Sequence, residues 1–445
     1  MALVLWWTWR PEQAFQMRQP GTDAAPAGQA ASNPVLSGKV IPGNAHPANL
    51  PGAWPQFRGP ARDGFLSESS LLSRNWSATP PRELWNIEVG EGYAGPAVSE
   101  GCVYLLDYDR DHRQSTLRSL SLVDGQEIWR FAYPLILKRN HGMTRTVPVV
   151  ASNLVVALDS KCNVFCVDRP SGQLRWGVSL VRDFDATVPQ WYTGQCPLVE
   201  GDKVILAPGG KDALLLALDL ETGKPLWQTP NPHDWKMTHS SVMPMDFAGQ
   251  HLYVYCASGG VVGVNAADGS LLFETTDWKI SIATVPSPVP LPDGRIFCSG
   301  GYNAGSLMLQ LAAGDGGVSV RTLFRLPPEV FGATQHTPML RDDHLYGVRP
   351  DGQFVCLDLN GKLIWTSGPS QTFGLGSFLM AGDLVYALND SGKLRLAEAT
   401  PAKFTLLGEA QVLNGRESWG PMALVGSRLL VRDLTHLVCL DVSGR

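Results

Sequence analysis

Ala217-Leu-Asp219-Leu-Glu-Thr222-Gly223-Lys224-Pro-Leu-Trp227 states the rule that the rest of the chain repeats. An apolar strand ends on an aspartate, a Thr-Gly pair turns the chain, and an aromatic residue stands four positions after the glycine. The aromatic recurs at Trp85, Trp129, Trp176, Trp227, Phe273, Phe324, Trp365 and Phe404, with gaps of 44, 47, 51, 46, 51, 41 and 39 residues. A period in this range, with β-type sequence between the marks, is the signature of a stack or ring of equal sheets. The turn glycines are Gly125, Gly172, Gly223, Gly269 and Gly361. Phe324 instead follows Gly317 by seven residues, and Phe404 has no glycine turn before it.

Outward from that marker each unit has one grammar. A proline opens a strand at Pro96, Pro148, Pro197, Pro338 and Pro421. A β-rich strand follows, as in Leu154-Val-Val-Ala-Leu, and a third ends at Asp168, Asp219, Asp358 or Asp441. Four short hairpin-connected strands make a propeller blade. The last unit stops at Ser443-Gly444, where a fourth strand is due, while Trp85 lies in a fourth strand with no three before it. The reading is an all-β, eight-bladed β-propeller of four-stranded antiparallel blades, closed by an N-terminal strand that completes the last blade. Closure removes exposed sheet ends. The marker aromatics are expected between neighbouring blades, near the outer edge.

The 445 residues are 17% charged and 44% apolar, with 46 glycines and 33 prolines, which suits a large β core rich in turns. A net charge of −5 and no Lys/Arg stripe exclude the electrostatic footprint of a nucleic-acid binder. Cys166, Cys356 and Cys439 share one repeat position, so they lie too far apart to bridge and read as small buried hydrophobes. No CxxC or CxxCH occurs, which argues against zinc, attached haem or a redox dithiol. Met1 to Trp9 is apolar but shorter than a membrane span, and residues 18–53 are rich in Ala, Gly and Pro with almost no charge. Residues 1–53 are therefore expected to be an apolar stub and flexible tether. Residues 54–445 are expected to be the propeller.

These residues resemble the PQQ-like (quinoprotein alcohol dehydrogenase-like) propeller repeat, whose pattern Ala-x-Asp-x-x-Thr-Gly-Lys-x-x-Trp is matched by residues 217–227. Looser copies are Asp168-Arg-Pro-Ser-Gly172-Gln-Leu-Arg-Trp176 and Leu357-Asp358-Leu-Asn-Gly361-Lys362-Leu-Ile-Trp365. Trp54-Pro-Gln-Phe-Arg-Gly-Pro-Ala-Arg-Asp63-Gly64 is similar to the opening of exported bacterial members, BamB-like in their annotation. The resemblance covers residues 54–445. It implies either of two things, since one scaffold hosts non-catalytic assembly proteins and quinone-dependent dehydrogenases.

A site would sit where loops enter the innermost strands, at the channel mouth. Those loops carry Tyr93, His141, Arg145, Trp191, Tyr192, Trp235, His239, His336, Glu417 and Trp419, with Asp183 and Asp185 nearby. Such a set suits a flat or anionic ligand; alternatively, aromatics cap the channel while His and Arg satisfy loop carbonyls. A PQQ dehydrogenase would need Ca²⁺ oxygens, for which Asn140, Asp185 and Glu417 are the candidates, with Arg145 for the quinone carboxylates and Trp191 or Trp235 for stacking. No spacing singles out a metal site, and no P-loop, Gly-x-Ser-x-Gly or HExxH occurs. His233-Asp234 and Asp342-Asp343-His344 read as turn residues. The expectation is a monomeric binding or scaffold propeller of the bacterial envelope, exported and tethered at its N-terminus. It would act on a protein or polymer, with no catalytic residue, metal or cofactor. The alternative is a PQQ/Ca²⁺-dependent dehydrogenase of alcohols or sugars.

Overall fold

The computed structural model describes residues 32–67, 69 and 71–444. Eight antiparallel sheets follow one another along the chain. Their innermost strands are Ala97–Ser99, Val149–Ala151, Leu198–Glu200, Met243–Phe247, Val289–Pro290, Met339–Arg341, Phe378–Ala381 and Ala423–Val425. These open blades 1 to 8. Blade 8 has three strands of its own, and Arg82–Glu88 completes it by pairing antiparallel with His436–Asp441. The ring is therefore closed by the strand that carries Trp85, as the sequence required.

The marker aromatics explain the turn glycines. The Trp176 ring of blade 2 packs against Gly223, in the outer turn of blade 3, and its Nε1–H donates to Leu220 O at 2.8 Å. A Cβ on Gly223 would lie 2.6 Å from that ring, and the residue's φ of +68° already favours glycine. Gly125 meets Trp85, Gly172 meets Trp129, Gly269 meets Trp227 and Gly361 meets Phe324 in the same way. The glycine that precedes each aromatic in sequence thus serves the aromatic of the blade before it. Blade 5 departs because its outer hairpin, Gly305–Gly314 and Gly317–Leu326, is long and packs on Leu271–Thr275 of blade 4.

A bulge opposite the marker recurs in every blade and faces a third-strand residue. Trp176 opposes Cys166, Trp365 opposes Cys356 and Trp85 opposes Cys439. That register corrects one assignment. In blade 7 the position belongs to Gly408, opposite Leu396, and Phe404 pairs four residues earlier with Ala399. The missing ring is supplied by the buried Trp76, which lies over Gly408 and contacts Tyr386. Phe404 packs instead with Trp365 and Phe373.

Around the channel, blades 2 to 6 are laced by a belt of hydrogen bonds at the residue two before the inner strand. Val147 N–H donates to Cys196 Sγ at 3.3 Å, and Cys196 N–H to Ser241 Oγ at 3.0 Å. Ser241 N–H donates to Ser287 Oγ, and Ser287 N–H to Thr337 Oγ1, both at 3.0 Å. These four buried amides each find an acceptor on the next blade.

The N-terminal segment changes the picture of a free tether. Asn33 and Val35 are buried against the ring, and Lys39–Pro42 adds a fifth strand to the outer edge of blade 1, beside Glu127–Pro134. The expected stub, Met1–Trp9, lies outside the described residues. Residues 54–66 then enter the channel. Trp54 pairs with Val98 of blade 1, and Pro55 O accepts from Val150 N–H of blade 2 at 2.8 Å. Arg62, 1% exposed, donates to Pro197 O at 2.9 Å and Val242 O at 3.3 Å. Arg58 donates to Pro338 O at 3.0 Å, and Phe65–Leu66 run parallel to Met380–Ala381 of blade 7. Six blades hold this plug. Burial lowers both arginines to about 10, still charged at neutral pH, and backbone carbonyls supply the compensating contacts.

Candidate functional site

Antiparallel four-stranded blades put the turns between strands one and two and between strands three and four on one face, and the long connections between blades, with the turns between strands two and three, on the other. The plug enters from the turn face: Ala48 N–H donates to Gly101 O and Gly382 N–H to Leu66 O, both in inner turns. The opposite, loop face carries the sequence candidates. Four of them share one register, three residues before the position that leads into the inner strand: Tyr93 before Pro96, Arg145 before Pro148, His239 before Val242 and Trp419 before Met422. One repeated backbone position thus aims them at one mouth.

Their contacts are consecutive. Trp419 lies beside Tyr93, with ring centroids 5.2 Å apart, and the Arg145 guanidinium sits 5.3 Å from the Tyr93 ring. Tyr93 OH donates to Glu417 Oε2. Trp191 meets His239 at 6.4 Å, and His239 packs on Gly194, which holds the corresponding position in blade 3. Arg145 donates to the carbonyls of Asn140, His141 and Gly142 at 3.2, 2.9 and 3.1 Å, which ties its loop into a knot. Tyr192 OH braces the same loop, donating to Lys138 O at 2.8 Å.

Electrostatics follow from the packing. Desolvation lowers Arg145 to about 10, opposed by Tyr93, Tyr192 and Glu417. Desolvation, with the Arg145 charge adding to it, drops His239 to about 3, so its imidazole is neutral at physiological pH. Burial and the Glu417 carboxylate push the Tyr93 phenol well up. The mouth is one guanidinium among neutral aromatic walls, with Glu417 held by Tyr93.

Two sequence candidates stand outside it. Trp235 is buried against Gly259 and Gly260 within blade 4 and stacks on His233. His336 is one residue off the register, beside the belt residue Thr337, and its Nε2 meets Gly376 O of the next connection. The register residue there is Gln335, and Val285 holds the position in blade 5; spacing from Pro338 and Pro288 would have found both. His233 pairs with Glu274, and His344 Nδ1 meets its own turn at Asp342 O.

The calcium donors do not gather. Asn140 gives its amide to Gln190 O at 2.6 Å. Asp185 caps the short helix Leu180–Phe184 and lines a separate cleft of about 700 Å³ with Lys211, Asp212 and Asp234. Glu417 is engaged by Tyr93. Among the described residues no three His, Cys, Asp or Glu form a metal-binding group. A calcium ion needs about six to eight oxygens, so these residues do not fit that ion as arranged. A second cleft of about 320 Å³ lies beyond Trp419, whose Nε1–H donates to its wall residue Asp390 at 2.6 Å.

A family model described as outer membrane protein assembly factor BamB matches residues 74–188 and 113–277. The matched residues carry PQQ-like repeats, and the ring of eight blades gives the whole chain the architecture of a β-propeller. BamB from Moraxella catarrhalis is similar in structure over 81% of this chain and 99% of its own, with TM-score 0.55 and 13% identity. The quinohemoprotein alcohol dehydrogenase ADHIIG from Pseudomonas putida HK5 is similar over 91% and 83%, with TM-score 0.51 and 12% identity. The computationally designed Ika8 protein aligns over 80% and 99%, with TM-score 0.50 and 14% identity. No curated protein sequence matches the chain. At such identities the likeness concerns fold alone, and it spans an assembly factor, an enzyme and a designed protein.

Proposed function

We propose that this chain is a non-catalytic binding or scaffold propeller of the bacterial cell envelope, holding a protein or extended polymer against its loop face. The observation that carries the reading is the plug: residues 54–66 fill the channel from the turn face, which leaves one broad mouth walled by Tyr93, Arg145, Trp191, His239 and Trp419. Flat aromatic surface beside a fixed guanidinium suits polypeptide or polymer contact, where Trp, Tyr and Arg carry most binding energy. The BamB description of the matching family supports an envelope role with protein partners. Among the described residues no helix is long and apolar enough to cross a membrane, so attachment would rest on the segment before residue 32.

Site-specific photocross-linking in the source cell tests it. A cross-linker at Trp191 or Trp419 is expected to capture a discrete partner, and one at Leu226 on the rim is not. Capture from the rim alone would overturn the loop-face reading. The dehydrogenase reading is tested on the same protein with added PQQ and Ca²⁺. Quinone absorbance retained through gel filtration, with dye reduction by alcohols or sugars, would replace the scaffold reading.

A further inference from the structure

Cys256 and Cys298 are fully buried, and their Sγ atoms lie 3.9 Å apart. They come from neighbouring blades: Cys256 from the second strand of blade 4, Gln250–Ala257, and Cys298 from the second strand of blade 5, Arg295–Gly300. Cysteines at one repeat position cannot meet, because all point the same way round the ring. These two are out of step. Leu252, Val254 and Cys256 face blade 5, while Tyr253, Tyr255 and Ala257 face blade 3. Ile296 and Cys298 face back toward blade 4, while Phe297 faces blade 6. A strand alternates faces at every residue, so this offset turns one thiol toward the other.

We propose that Cys256 and Cys298 are a dithiol site that oxidises to a disulfide tying blade 4 to blade 5. The thiols lose two electrons and two protons as the S–S bond forms. A disulfide-bearing oxidant, either a small-molecule disulfide or a thiol oxidoreductase, accepts them and leaves as two thiols. One thiol first forms a mixed disulfide with the oxidant, and the second displaces it. Closure requires the sulfurs to approach from 3.9 Å to about 2.05 Å, a shift within reach of side-chain rotation when the backbones are suitably placed. The other thiols are differently engaged: Cys196 accepts in the belt, and Cys162 touches Thr193 and Met237. Contact with Cys256 and burial raise the Cys298 thiol, so the closed pair is unreactive and exchange occurs while the two blades are parted.

The test uses the full chain, with one variant as its control. Reduced protein is incubated with oxidised glutathione at a urea concentration just below its unfolding midpoint, returned to buffer, unfolded in N-ethylmaleimide and digested for mass spectrometry. The expected result is six of the eight cysteines alkylated, with one linked peptide pair containing Cys256 and Cys298. The unfolding midpoint should also rise and fall back on reduction. Cys256→Ser should abolish the linked pair and leave Cys298 as thiol or glutathione adduct. Eight alkylated cysteines, a glutathione adduct at either position without the link, or a link to another cysteine in the wild-type chain would overturn the proposal.

Discussion

Gly223→Ala tests how the blades are fastened. Two costs fall on one methyl group. At φ +68° an L-residue with a Cβ is strained by about 1–2 kcal/mol. The Cβ would also stand 2.6 Å from the Trp176 ring, which is buried and anchored by its 2.8 Å hydrogen bond to Leu220 O. Forcing an extra carbon into such a contact costs about 1–3 kcal/mol more. The sum is about 2–5 kcal/mol. Gly249→Ala is the matched control, because its φ is +76° but a Cβ there meets nothing within 4 Å. It should lose only the backbone part. Urea denaturation followed by far-UV circular dichroism gives both values, and the difference between them isolates the contact between blades. Equal losses in the two variants would refute the interlocking of each glycine with the preceding blade's aromatic.

Three further outcomes are expected. Trp227→Ala should cost about 3–5 kcal/mol in the same denaturation assay, as for other buried aromatics; the half-buried Trp365→Ala should cost less, although it also loses its Nε1–H bond to Thr400 O at 2.9 Å. Arg62→Ala should cost about 3 kcal/mol, since it strands Pro197 O and Val242 O and leaves a cavity in the channel, and limited proteolysis should then cut within residues 54–66. His239 is held near 3 against an unfolded value of 6.5, so the unfolded chain binds the extra proton. Stability should therefore fall as pH drops from 6.5 toward 3, by up to about 1.4 kcal/mol per unit, and thermal melts of His239→Gln should lack that part of the slope.

What the sequence revealed depended on whether a feature repeats locally. The closing strand was legible because Trp85 in an orphan strand and a last unit ending at Ser443-Gly444 leave one way to satisfy both edges. The marker tryptophans were legible because the aromatic and the glycine turn against the preceding blade's ring recur together at a fixed spacing. Phe404 was misread because residue type was followed where register decides, and the ring that fills blade 7, Trp76, comes from outside the repeat. The plug was hidden for a different reason. Residues 54–66 take their hydrogen bonds from six other blades, so nothing in their own spacing reports the conformation, and residues 33–53 looked like a tether because pairing with blade 1 is entirely long-range. At the mouth, Tyr93, Arg145, His239 and Trp419 came together because one backbone position repeats. His336 did not join them because one residue's offset moves a side chain from the mouth to the contact between blades.

Hydrogen–deuterium exchange on the intact chain, read by mass spectrometry over residues 54–66, bears most directly on a channel sealed by its own N-terminal segment. The amides of this stretch should exchange as slowly as those of the inner strands it touches, such as Val98 and Val150. Exchange over residues 54–66 as fast as in an unstructured peptide, with Val98 and Val150 unprotected, would mean an open channel and would contradict a single binding face.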